Sequence, residues 1–452
     1  MADHGGSQHG IARTSRVRTE EQRQRDLGRI AKYRELEDQA RALASRGEHS
    51  TPELFQITTK LLRLNPEYYT IWNARRRCLI SGSFSNSSAG SSRSKGSSTT
   101  SATPNTAPSS AKCSSPSSAT TPPGPGPQTA GKSGTTADDA GDEASNPIEN
   151  HEATPTPAEA KAPAAEATQT TEATEAQDLS VIKSELAFTI PLLLESPKCY
   201  WIWSYRLWIL EQAIARLPAR QARKVWEEEL GLVSMMLGRD RRNFHAWGYR
   251  RHVVDQLEST ALHGSSMVET EFAYTDSMIK TDLSNFSAWH RRSRLIPRLL
   301  EERGADAQTR REFFNQELEL IHNALNVGPE DQSLWYYHQF LVLNLVSPNQ
   351  PNPTTPSQAL IVPDLPLADR IGYLTSEINL IDELLEDYDD VKSIYEALFE
   401  YRLYQTQLEG RQPDEREKEE LARWLGKLKQ LDPMRSGRWA DLEKEVGLGV
   451  YM

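Results

Sequence analysis

One frame recurs five times along the chain, and it limits the fold more than any other feature. The segments are NPEYYTIWNARRRCL (65–79), SPKCYWIWSYRLWIL (196–210), RNFHAWGYRRHVV (242–254), SNFSAWHRRSRLI (284–296) and DQSLWYYHQFLV (331–342). They align on Trp72, Trp203, Trp247, Trp289 and Trp335. Three residues earlier stand Tyr69, Tyr200, Phe244, Phe286 and Gln332; three residues later stand Arg75, Arg206, Arg250, Arg292 and His338. The tryptophan, the +3 residue and the +7 residue (Leu79, Leu210, Val254, Ile296) share one helical face. The last three Trp-to-Trp spacings are 44, 42 and 46 residues, the length of a two-helix hairpin with its turns. Each unit reads as an apolar helix (185–194 or 268–281), a turn, then the Trp helix. Such a hairpin cannot bury its apolar face by itself, so neighbours must stack. The expected fold is all-α: an α-α superhelix, a crescent-shaped solenoid of helical hairpins. Nowhere does a sustained period-two alternation signal a sheet.

The first spacing, Trp72 to Trp203, is 131 residues, one period plus 87. The surplus coincides with residues 81–180, where Ser, Ala, Thr, Pro and Gly make up 72 of 100 residues and Phe84, Ile148 and Leu179 are the only large apolar ones. That composition cannot offset the entropy of ordering a backbone, so 81–180 reads as a disordered insertion between one Trp helix and the next unit's first helix. A tolerated surface insertion is favoured over a phosphorylated regulatory segment, because a longer loop costs little extra to close. The expected layout is a flexible N-terminal arm (1–18), the first helical repeats (19–80), the insertion (81–180), and the remaining repeats and C-terminal helices (181–452). Thr19-Glu20-Glu21-Gln22 is a capping box that opens a charged helix running to about Arg46. Ser50-Thr51-Pro52-Glu53 starts the next, with Leu54, Ile57, Leu61 and Leu64 on one stripe. Beyond Trp335 the frame decays: 380–388 and 391–398 form a sixth hairpin without its Trp, and 415–446 a last unit with Trp424 and Trp439.

With 63 acidic and 52 basic side chains the net charge is -11, which argues against nucleic acid as a partner. Three cysteines fit a reducing compartment, and no run of about 18 apolar residues could span a membrane. The N-terminus lacks the apolar core of a secretory signal, so a cytoplasmic protein is expected. No glycine-rich phosphate loop, HExxH or paired CxxC is present. Cys78 and Cys199 read as small buried hydrophobes. The recurring Arg reads as a structural group that satisfies helix ends or acids. From the residues, the chain is a repeat scaffold with a binding surface and no self-contained catalytic centre or metal site.

The repeated [NS]-aromatic-x-x-W-x-x-R frame resembles the signature of protein prenyltransferase alpha subunits, over nearly all the chain outside 81–180. Arg-Asn-Phe-His-Ala-Trp (242–247), Ser-Asn-Phe-Ser-Ala-Trp-His (284–290), Asp-Gln-Ser-Leu-Trp-Tyr-Tyr-His (331–338) and the early His9-Gly10 are most similar to the Rab geranylgeranyl-transferring (type II) branch. The absence of further domains after the helical part suggests its compact, fungal-type form. The resemblance implies a heterodimer that moves geranylgeranyl from geranylgeranyl diphosphate to C-terminal cysteines of Rab GTPases presented by a Rab escort protein. It implies no cofactor on this chain; a catalytic zinc and most of the active site would lie on the beta subunit. Lys198 matches the lysine that reaches the diphosphate. Tyr200, Asn243, Phe244 and His245 match positions lining the shared active-site edge. Phe244 replaces the Tyr, and Trp201 the Gln, of farnesyl-type subunits, which argues against direct reading of a CaaX terminus. His9, in its Gly-rich arm, is a further candidate to reach the partner's zinc. The other readings are the alpha subunit shared by farnesyltransferase and geranylgeranyltransferase type I, and a non-enzymatic scaffold.

Overall fold

The computed structural model describes residues 19–85, 163–346 and 360–448, with backbone only for 163–169. The N-terminal arm with His9, and the part of the expected insertion between 86 and 162, lie outside the described residues. Residues Met1–Asn86 and Thr171–Met452 make one unit and Ser87–Thr170 a second; the stacked hairpins belong to the first. Every element among the described residues is helical. α1 (Glu20–Ser45) opens on the expected capping box, with Thr19 and Gln22 bonded reciprocally. α2 (Pro52–Leu64) and α3 (Tyr69–Cys78) form the first Trp hairpin, closed by one π-type turn at Leu79–Ser83. Hairpins two to five are α4 (Pro163–Glu195) with α5 (Tyr200–Arg216), α6 (Ala219–Arg239) with α7 (Phe244–Leu257), α8 (Val268–Thr281) with α9 (Phe286–Glu302), and α10 (Ala307–Val327) with α11 (Gln332–Val346). α12 (Leu367–Asp387) and α13 (Lys392–Leu408) form the sixth, followed by α14 (Glu415–Leu431) and α15 (Ser436–Val446).

The repeat frame has a side-chain logic. Each Trp is buried, and its indole Nε1 donates to a carbonyl six residues back: Trp72 to Pro66 O (2.8 Å), Trp203 to Pro197 O (2.9 Å), Trp247 to Arg241 O (2.8 Å), Trp289 to Leu283 O (2.8 Å) and Trp335 to Pro329 O (2.6 Å). The turn is thereby pinned to its own helix. In the sixth hairpin Tyr395 takes the place of the missing Trp, and its hydroxyl donates to Asp389 O, again six residues back, at 2.8 Å.

The +3 arginines form rungs between hairpins. Arg75 pairs with Glu185 of the next hairpin's first helix through Nε at 2.6 Å, Arg206 with Glu229 at 2.7 Å, Arg250 with Glu271 at 3.2 Å and Arg292 with Glu317 at 2.8 Å. All eight side chains are buried. The hydroxyls of Tyr205, Tyr249 and Tyr337, two residues after the next Trp, donate to Glu185, Glu229 and Glu317. Burial and the adjacent carboxylates push all three phenols well above their usual range, so they stay protonated donors. In the one deviating rung Arg291 replaces that Tyr and lies 3.8 Å from Glu271. The expectation that these arginines satisfy neighbouring acids holds at every rung.

One boundary expectation is corrected. Residues 163–180 are helical, as the first half of α4, and the region from 81 to 85 packs against it. Asp178 is buried and accepts from the backbone N–H and the hydroxyl of Ser85, each at 2.7 Å. Phe84 is buried beneath the Arg216 guanidinium, 4.2 Å from its ring centre. Composition grouped this Ala/Thr/Glu-rich stretch with its surroundings, yet Ala and Glu are strong helix formers once Ile182 and Asp178 anchor the helix.

Candidate functional site: the Lys198 turn and the aromatic edge

The tight turn Ser196-Pro197-Lys198 joins α4 to α5. Its chain is fixed from three sides: Ser196 N–H donates to Leu192 O (2.8 Å), and Cys199 N–H donates to Ser196 O (3.1 Å). Pro197 O accepts from both Trp203 Nε1 and the side-chain amide of Asn243 (3.0 Å). Asn243, which the resemblance places on the active-site edge, is here a structural group. It is buried, its oxygen caps α7 by accepting from His245 N–H (3.1 Å) and Ala246 N–H (3.3 Å), and its nitrogen holds the Lys198 turn. Asn285 repeats this link one hairpin later, donating to Arg241 O at 3.1 Å. Cys199 holds the same register, and its thiol sits 3.4 Å from Pro66 O. Burial pushes that thiol up to about 11, and burial likewise raises Cys78, so both are unreactive core groups as expected.

Lys198 projects outward from the clamped turn, 70% exposed, with its Nζ 3.6 Å from Asp240. The equivalent position of the next hairpin is Arg242, 61% exposed and 3.3 Å from Asp282. Two exposed cations thus sit one repeat apart, each loosely held by a carboxylate from the following turn. Sequence reasoning missed Arg242, although its place in the frame, five residues before Trp247 as Lys198 is before Trp203, carried the signal.

The residues three before each Trp form an exposed aromatic edge. Tyr69, Tyr200, Phe244, Phe286 and, in place of Gln332, Tyr336 each expose about half or more of their surface. Tyr200 lies against Trp201 (ring centres 5.1 Å) and His245 (6.5 Å), and Phe244 against His245 (4.0 Å); Trp201 also meets Tyr69 at 5.2 Å. Tyr200, Phe244 and His245 are therefore brought together at the N-terminal ends of α5 and α7, and Lys198 stands on the turn that leads into α5. Farther along, Phe286, His290, Tyr336 and Phe340 line a groove of about 320 Å³. Burial and the nearby Arg251, Arg294 and Arg291 depress the His290 pKa, which leaves the ring neutral and apolar in character. Such an edge suits a ligand with an anionic head and apolar body, or a partner's surface.

The sequence profile described as "Protein prenyltransferase alpha subunit repeat" matches residues 52–81, 182–213, 226–257, 268–299 and 314–345, which are the five Trp hairpins. Three curated relatives bear the name geranylgeranyl transferase type-2 subunit alpha. The Saccharomyces cerevisiae protein is 39% identical over 160 residues, covering 35% of this chain and 46% of its own length. The Schizosaccharomyces pombe protein is 34% identical over 227 residues, covering 49% and 62%. The Candida albicans protein is 26% identical over 468 aligned positions, covering 96% and 97%. The chain thus spans less than two thirds of the first two relatives' length and nearly all of the third's.

Proposed function

We propose that this chain, whose five Trp hairpins match the protein prenyltransferase alpha subunit repeat, is the alpha subunit of a type-2 (Rab) geranylgeranyltransferase heterodimer. Its partners in this reading are a beta subunit, a Rab escort protein carrying the Rab GTPase, and geranylgeranyl diphosphate. The observation that carries the reading is the Lys198 turn: an exposed cation on a turn clamped by Trp203 and Asn243, next to an aromatic edge that stays exposed among the described residues. No helix among the described residues is long and apolar enough to cross a membrane.

The chemistry assigned to this chain is electrostatic. In the transfer, the carbon–oxygen bond to diphosphate breaks, a carbon–sulfur bond to the Rab cysteine forms, and the thiol proton leaves to solvent. Zinc on the beta subunit would supply the thiolate. Negative charge grows on the departing diphosphate, and a cation already in position stabilises it without reorganisation. Lys198 serves this purpose, and the loose pairing with Asp240, 3.6 Å away, leaves the ammonium free to shift onto a more highly charged anion. Tyr200, Phe244 and His245 present apolar faces beside it. Trp201, packed between Tyr69 and Tyr200, supports delivery by an escort protein over recognition of a free terminal carboxylate.

The experiment is Lys198→Ala in the purified heterodimer with escort protein, Rab and geranylgeranyl diphosphate. The single-turnover rate should fall on the order of 10²-fold, with a smaller change in lipid affinity, and Lys198→Arg should restore part of the loss. Gel filtration must show the heterodimer intact. An unchanged rate in an intact heterodimer removes Lys198 from the reaction, and failure to co-purify with a zinc-bearing beta subunit removes the reading as a whole.

A further inference from the structure

Four of the rungs between hairpins neutralise a buried glutamate with a guanidinium, and that guanidinium's Nη1 turns to a residue 13 or 14 positions before its own Trp. The residue is Thr58 for Arg75 (3.1 Å), Thr189 for Arg206, Ser234 for Arg250 (2.7 Å) and Asp276 for Arg292 (3.9 Å). At the fifth rung both positions are histidines. His338 stands at the arginine register and His322 at the hydroxyl register. Each Nε2 lies 2.7 Å from the same oxygen, Oε2 of Glu377, the acid of the next hairpin. His338 and Glu377 are buried, and His322 is half-buried. The permanent cation of the other rungs has been exchanged for two imidazoles converging on one carboxylate oxygen, with all three ligand atoms within 4.8 Å of one another.

We propose that His322, His338 and Glu377 form a zinc-binding site, with both Nε2 atoms and a Glu377 oxygen as ligands and water in the fourth position. No metal on this chain is expected from sequence, because the three residues are spaced 16 and 39 apart and only the stacking of α10, α11 and α12 unites them. Two imidazoles and one carboxylate are a donor set suited to zinc. Tetrahedral coordination at ordinary zinc–ligand lengths needs donor separations of about 3.3 Å, so opening the present 2.7 Å contacts admits the ion. The partly exposed side of His322 gives a route in and room for water. The outer contact is also in place: His338 Nδ1 lies 2.8 Å from the hydroxyl of Tyr401, which burial keeps a neutral phenol. When zinc binds, a neutral imidazole carries its proton on Nδ1, and a protonated one releases its second proton to water. His338 Nδ1–H then donates to Tyr401, which fixes the ring as metal-bound imidazoles are commonly fixed. The ion places its charge where the other rungs hold their guanidinium.

The test is elemental analysis of the purified heterodimer after dialysis against micromolar free zinc. Comparing variants in the same complex cancels any zinc held by the partner. The wild-type complex should carry one more equivalent than His322→Ala or His338→Arg, and added zinc should raise its melting temperature but not theirs. His338→Arg rebuilds the rung found at the other four junctions, so it keeps the fold while filling the site. Tyr401→Phe should retain the site with about 10- to 100-fold weaker zinc affinity. Equal zinc content in wild type and His338→Arg overturns the proposal. So does a wild-type complex whose melting temperature responds to pH but not to zinc, which assigns the charge at this rung to protons. Neither readout depends on prenyl transfer.

Discussion

The rung between Arg206 and Glu229 is the place to ask what holds one hairpin to the next. Arg206 is buried, and its guanidinium donates to both carboxylate oxygens of Glu229, to Leu186 O and to Thr189. Burial disfavours the guanidinium charge, but Glu229 outweighs it and holds the Arg206 pKa above its usual value. Arg206→Met keeps much of the volume and leaves the Tyr249 hydroxyl as a donor to the Glu229 carboxylate. Orphaning one member of a buried pair costs about 3–5 kcal/mol. Arg206→Met combined with Glu229→Leu removes the orphaned charge and leaves Tyr249 unpartnered, at about 1–3 kcal/mol. The double variant should therefore be more stable than the single one by roughly 2 kcal/mol. Urea unfolding followed by circular dichroism, at matched protein concentration because association shifts the midpoint, measures the order. If the double variant unfolds at or below the midpoint of Arg206→Met, charge compensation does not hold the rung.

Replacing residues 90–167 with a short Gly-Ser linker should leave assembly and melting temperature near wild type, whereas removing 84–178 should destabilise the chain, because it takes out Phe84 and the Ser85–Asp178 contact. Equal melting of both deletions counts against that contact. A second outcome concerns acid. Hydrogen bonding from Arg411, reinforced by Asp414 N–H, outweighs burial and holds Glu417 at about 2. Its contribution is full above the unfolded value near 4.3 and fades as pH falls through about 2. Glu417→Gln should cost on the order of 2 kcal/mol at pH 7, and the gap from wild type should narrow steadily below about pH 4; a gap that is constant with pH refutes it.

Much of this fold was legible because the Trp frame combines a rare residue with a strict period. The starts of α1, α2 and α8 followed from Thr19, Pro52 and Val268. The rungs were half legible. Three of the acids lie 23, 21 and 25 residues after their arginines, but glutamate is too common in this chain for such a spacing to stand out. The sixth hairpin was legible from its apolar pattern, but not that Tyr395 stands in for its Trp, since only the fold shows its hydroxyl reaching the same carbonyl register as an indole N–H. At the candidate site the turn lysine and its aromatic neighbours could be read from the frame. The burial of Asn243 could not, because its amide reaches back 46 residues to Pro197, and only the stacked hairpins bring the two together.

The Arg75–Glu185 rung joins residues 110 apart in the chain, where the next three rungs close loops of 23, 21 and 25. The entropic cost of closing a loop grows with the logarithm of its length, so by length alone this clasp carries a handicap of about 1.4 kcal/mol relative to the others. The length of chain between α3 and α4 thus sets the order in which the array comes apart. On gradual loosening, α1 to α3 should peel away as a block while the hairpins from α4 onward stay zipped. In hydrogen exchange, amides of α2 and α3 should open before those of α5 and α7, at a single shared rate.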